Sequence, residues 1–279
     1  MTNVSRIAWV VGVGASRGLG AASARRFARE GYKVAVTGRS PDALQVIVDE
    51  IVAAGGQAIA APGDAQQEAG MVDILDRLEK IGPVEVGVYN AGNAIRGSPL
   101  ETKTADFEAT WRVGCLGGFI FGREVARRML PRGYGTIIYS GASASLRGRA
   151  AFAAFAAAKA GLRMVSQSFA REFGPRGIHV AQVIIDGSIN GDKMFSKVQI
   201  SGSRRDRTAC LTLMRSLTAL VSTYATSFCL VAGARCASIY RSLFSPGRPI
   251  LSHGSRRDIF GLGLSSMTLF VFFRPTTGS

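Results

Sequence analysis

Histidine and cysteine are scarce, with two His and four Cys among 279 residues. Neither recurs at the short paired spacings that a zinc centre needs, so a metal site of that kind is excluded. His179 lies in an apolar run and His253 in an irregular tail, which leaves no base for a Ser-His-Asp arrangement. Unpaired cysteines and the lack of a charged-then-apolar leader point to a reduced, cytoplasmic setting. Long apolar runs are missing as well. Ser216 to Ala234 is uncharged for 19 residues between Arg215 and Arg235, yet so rich in Ser and Thr that membrane insertion is disfavoured.

Lysine and glutamate are absent from residues 200–279, which carry ten Arg and two Asp, a surplus of +8. Residues 1–199 hold 24 basic against 17 acidic side chains, a surplus of +7. The net charge of +15 is therefore concentrated in the tail, and no recognition motif accompanies it, which argues against a nucleic-acid partner.

What is present is an α/β pattern. Short β-rich runs at 7–13, 33–38, 57–62, 84–90, 135–140 and 178–185 alternate with helical segments near 18–30, 41–54, 66–80, 105–130 and 151–173. Near-continuous apolar strands separated by helices predict a doubly wound parallel sheet, covered on both faces. The chain thus reads as a single Rossmann-type domain over 1–195 with an atypical tail over 196–279.

The first strand runs into GVGASRGLG, with Gly14, Gly18 and Gly20 spaced G-x-x-x-G-x-G before a helix. In that context Gly14 is expected to make the tight turn and Gly18 to admit a pyrophosphate to the backbone, with Ser16 between them. Gly20 is expected to let the helix pack on the strand. The second strand ends in VTGRS, where no carboxylate is available for a ribose 2′-hydroxyl. Arg39, with Arg17 in the loop, suits a 2′-phosphate instead, so the expected cofactor is NADP(H).

These motifs, followed by GDA at 63–65, YNAG at 89–92 and a helical Lys159, resemble the short-chain dehydrogenase/reductase family over residues 6 to about 190. The resemblance implies that Asp64 contacts the adenine amino group and that Asn90, Ala91 and Gly92 line the adenosine ribose. Taken alone, Asp64 also reads as a helix cap and the Asn-Ala-Gly run as a strand-end turn.

The family's chemistry uses a Tyr acid, a Lys four residues later, a Ser thirteen before the Tyr and an Asn on an earlier helix. Here Lys159 is present, but those other positions hold Phe155, Ala142 and Gly114. Ser143 and Ser145 flank the empty serine position, and Ser143 with Lys159 is the remaining catalytic candidate pair. Two functions follow: an NADP(H)-dependent oxidoreductase on a carbonyl or alcohol substrate, or a nicotinamide-nucleotide-binding protein without turnover. The resemblance also implies a lid, a helix and a seventh strand after residue 190, none of which is readable. Two different shifts of reading frame, within 207–218 and within 220–236, restore segments like those of the family, so the tail is expected to be frameshifted. Such a tail is expected to leave the sixth strand as an open sheet edge, and it leaves homo-oligomer formation undecided.

Overall fold

The computed structural model describes residues 5–14, 16–186 and 267–272. Six strands run parallel: β1 (Ile7–Val11), β2 (Lys33–Thr37), β3 (Gln57–Ala60), β4 (Val84–Tyr89), β5 (Gly135–Ala142) and β6 (Ile178–Asp186). A seventh, β7 (Met267–Phe272), pairs antiparallel with β6, and the order across the sheet is β3-β2-β1-β4-β5-β6-β7. The expectation of a doubly wound α/β sheet is borne out. The expectation of an open sixth strand is overturned: Ala181–Asp186 face the segment MTLFVF, whose β-branched and aromatic composition suits a strand.

Alternation within strands builds two cores. Ile7, Trp9 and Val11 point to one face of the sheet, where they meet α3 (Glu68–Ile81), α5 (Gly117–Met129) and α6 (Ala153–Phe173). Ala8 and Val10 point to the other, against α1 (Leu19–Arg29) and α2 (Pro41–Ala53). Trp9 is fully buried, and its indole N–H donates to Thr37 Oγ1 at 2.8 Å, so the one polar atom of that ring is satisfied inside the core.

The helix expected over 105–130 is interrupted. It comprises α4 (Thr104–Trp111), a π-helical turn over Arg112–Leu116, and α5. Chain connections leave β1 toward β2 on one face and reach β4 on the other, so the crevice where a ligand fits opens at the C-terminal ends of β1 and β4.

Candidate functional site

The loop after β1 is pinned by both neighbours. Gly12 N and Val13 N donate to Thr37 O at 2.9 and 3.0 Å, Asn90 N donates to Val11 O at 2.8 Å, and Asn90 Nδ2 donates to Gly12 O at 3.0 Å. The tight turn is at Gly12, not Gly14. Gly12 has φ +91°, and a Cβ there would lie 2.2 Å from Ala91 N. Gly14 instead borders open space, with nothing among the described residues within 4 Å of an added Cβ. A Cβ on Gly20 would sit 2.9 Å from Gly12 O, so this residue sets the approach of α1 to β1, as expected. Gly18 caps α1 in an extended conformation. Among the described residues no side chain caps that end, and its first turn holds no acid, so its N–H groups remain available to an anion.

Ser16 does not project freely. Its hydroxyl donates to Glu50 Oε1 at 2.8 Å, while Arg25 Nη2 donates to the Ser16 carbonyl at 2.7 Å and to Glu50 Oε2 at 2.7 Å. Arg25 and Glu50 thus clamp the glycine loop to α1 and α2, and the hydrogen bonds from Arg25 and Ser16 hold the Glu50 carboxyl below its usual range. Pairs 25 and 34 residues apart are invisible to a reading of local motifs, and the clamp was missed there. Arg17 and Arg39 are both exposed, and Arg39 has no hydrogen bond or ion pair among the described residues. Asp64 Oδ1 accepts from Gln66 N at 3.0 Å, fixing the turn before α3 and leaving Oδ2 for another partner.

Lys159 is 6 % exposed, and its Nζ donates to Ser140 O at 2.7 Å, where β5 nears its end. Gly92 faces it: an added Cβ would lie 3.4 Å from Nζ. Burial without a nearby carboxylate pulls the ammonium from 10.5 down to about 8. The Phe155 ring centroid is 6.0 Å from Nζ. Ser143 makes no side-chain hydrogen bond among the described residues. Ser145 is ruled out as a substitute because its hydroxyl is spent on Ala142 O at 2.7 Å. Gly114 sits in the π-helical turn, and a Cβ there would come within 2.7 Å of Ala158 Cβ, so α6 has closed over the position.

Among the described residues no other phenol fills the gap left at Phe155. Tyr89 OH donates to Val113 O at 2.6 Å and Tyr139 OH to Gly118 O at 3.3 Å, and burial drives both phenols well above their ordinary range. His179 is within β6, and burial lowers its pKa. His253 lies outside the described residues. Among the described residues no cluster of His, Cys, Asp and Glu could hold a metal, and no helix is long and apolar enough to cross a membrane.

The model of the short chain dehydrogenase family matches residues 8–197 of the chain. The chain belongs to this family. It is 37% identical over 171 residues to the short-chain dehydrogenase/reductase eriH of Hericium erinaceus, covering 59% of this chain and 68% of that protein. Among solved structures, a short-chain dehydrogenase from Rhodopseudomonas palustris is 43% identical with a TM-score of 0.62, covering 64% of this chain and 84% of the other. A metagenomic short-chain oxidoreductase in complex with NADP is 32% identical with a TM-score of 0.61, covering 65% and 82%. Lys159 lies beside the C-terminal end of β5, and Phe155, Ala142 and Gly114 bring no polar side chain to it.

Proposed function

We propose that the chain binds NADP(H) in the crevice above β1 and β4 and acts as an oxidoreductase on a carbonyl or alcohol substrate, with turnover far below what a tyrosine-bearing site would give. The observation that carries this reading is Lys159, buried beside Gly92 and anchored on Ser140 O, together with a glycine loop that borders open space at Gly14 among the described residues. The residues present fit the cofactor. Gly14, Gly18 and Gly20 with the first turn of α1 would hold its pyrophosphate, and the clamped Ser16 would keep that loop in place. Arg39 and Arg17 would take the 2′-phosphate, Asp64 the adenine, and Asn90, Ala91, Gly92 and Lys159 the riboses. The complex of the metagenomic relative with NADP supports the assignment.

When bound, the nicotinamide supplies the hydride. The chain must supply orientation and a proton at the substrate oxygen. Lys159 presents a cation to that region, and Ser143 is the hydroxyl left to bond the oxygen, with water or the substrate completing proton transfer. A phenyl ring exchanges no proton, and a positioned acid–base group contributes roughly 10²–10⁴-fold, so the rate is low. Steady-state NADPH oxidation against a panel of aldehydes and ketones tests this. Slow oxidation proportional to protein, not restored to a full rate by Phe155→Tyr alone, is expected. Fast oxidation by the unmodified protein would falsify the reading.

A second reading, nucleotide binding without turnover, is favoured by the contact of the Gly114 position with Ala158, which leaves no room for the Asn of a proton relay. A single-turnover assay with deuterated NADPH separates the two, since label in the product excludes a purely binding role.

We also propose that the chain from about residue 196 is read out of frame. The family match ends at residue 197, next to the break in composition, which supports this boundary. The respelled stretches 207–218 and 220–236 lie outside the described residues, while β7 at Met267–Phe272 belongs to the same tail.

A further inference from the structure

Two loops leave the C-terminal edge of the sheet beside Lys159, one after β4 and one after β5. They are joined by a bond from Gly97 N to Ala151 O at 3.0 Å. Ala151 holds φ +66°, the left-handed region that alanine rarely adopts, so the junction is strained and fixed by its surroundings. It directs Phe152 beneath Arg96, whose guanidinium carbon stands 5.9 Å from the ring centroid.

Phe152 is the N-cap of α6, and Phe155 and Lys159 follow within the helix, one turn apart, with the Lys159 Nζ 6.0 Å from the Phe155 ring centroid. The strip is cationic at both ends and aromatic between them.

The charge balance of these loops is lopsided. The first carries Arg96 and Lys103 against one acid, Glu101; the second carries Arg147 and Arg149 and no acid between residues 143 and 152. Several arginines meet carboxylates, Arg25 with Glu50, Arg112 with Glu108 and Arg132 with Glu79, while others, such as Arg39, have no carboxylate partner among the described residues. Arg96 is exposed and has no carboxylate partner among the described residues. A guanidinium set over a ring presents its fork of N–H groups to a planar anion.

We propose that the site takes a carbonyl or alcohol compound with a planar apolar body and a carboxylate at the end away from the reacting carbon, the body lying on Phe152 and Phe155 and the carboxylate held by Arg96. On this view Phe155, which removes the acid, widens the apolar platform. The proposal rests on the oxidoreductase reading and names its substrate class.

The test is calorimetric titration of 4-formylcinnamate and its neutral methyl ester into protein saturated with NADP⁺, which cannot donate a hydride to either. The acid is expected to bind at least about tenfold tighter than the ester, as a charge-assisted contact provides. In Arg96→Met that preference disappears, in Arg96→Lys part of it returns, and NADPH affinity stays within about twofold in both, because Arg96 is not placed in the nucleotide site. Equal affinity for acid and ester in the parent, binding of neither, or a preference that survives Arg96→Met overturns the proposal. Failure of the parent to bind NADPH overturns the cofactor reading instead, and the acid–ester contrast on nucleotide-free protein still decides the role of Arg96.

Discussion

Replacing Lys159 by methionine should stabilise the fold and weaken nucleotide binding together. Burial moves this ammonium from 10.5 to about 8, so below pH 8 the folded state carries a charge it disfavours. At about 1.4 kcal/mol for each tenfold change in proton affinity, the penalty at neutral pH is about 3 kcal/mol. Methionine fills similar space without the charge but loses the bond to Ser140 O, which offsets roughly half of the gain. A net gain of about 1–2 kcal/mol corresponds to a Tm rise of roughly 2–8 °C for a domain of this size. The pH dependence is the sharper signature. Between pH 8 and 10.5 the unfolded chain keeps the Lys159 proton and the folded chain has lost it, so the parent gains stability as pH rises through that window. Subtracting the Tm of Lys159→Met at each pH removes the contributions of other groups. The assay is thermal unfolding followed by circular dichroism at pH 7, 8, 9 and 10. A difference that does not narrow with rising pH, or a variant less stable than the parent at pH 7, would refute the reasoning.

Gly114→Asn should destabilise the protein by about 1–3 kcal/mol, because its Cβ would meet Ala158 Cβ at 2.7 Å. Adding Ala158→Gly, itself costing about 1 kcal/mol, should relieve the strain; strict additivity in a double-mutant cycle counts against the contact. Glu50→Gln should weaken NADPH binding a few-fold with little change in Tm, since the pair with Arg25 is partly exposed but holds Ser16. Because the Glu50 pKa is depressed, its contribution should persist at neutral pH and fade as pH drops through the carboxylate range. Affinity indifferent to both Glu50→Gln and acid would remove the clamp from the account. Sequencing of the gene should reveal single-base insertions or deletions before codon 207 and near codon 219, and a frame that translates cleanly to the same tail contradicts the frameshift.

All six parallel strands were legible, because residues such as Ile7, Trp9 and Val11 on one face and Ala8 and Val10 on the other are all apolar, as a doubly covered sheet requires. Lys159 was legible through the resemblance of its helix, taken with the preceding motifs, to the family. What escaped depends on contacts between distant segments. Gly12 and Gly14 are two residues apart, and only the backbone of Ala91 arriving on β4 decides which one takes the positive φ. The choice between Ser143 and Ser145 turns on one bond to the Ala142 carbonyl. The π-helical turn follows from how closely α6 crosses Gly114, and the cover over β6 comes from residues some eighty positions later.

Parallel calorimetric titrations of NADPH and NADH into the same preparation test the central claim most directly. Arg39, just after β2, and Arg17, in the glycine loop, are both exposed, and no acid ends β2 to select the 2′-hydroxyl. NADPH should bind more tightly by roughly ten- to a hundredfold, the value of one charge-assisted contact. Equal affinities, a preference for NADH, or no binding of either nucleotide would contradict it.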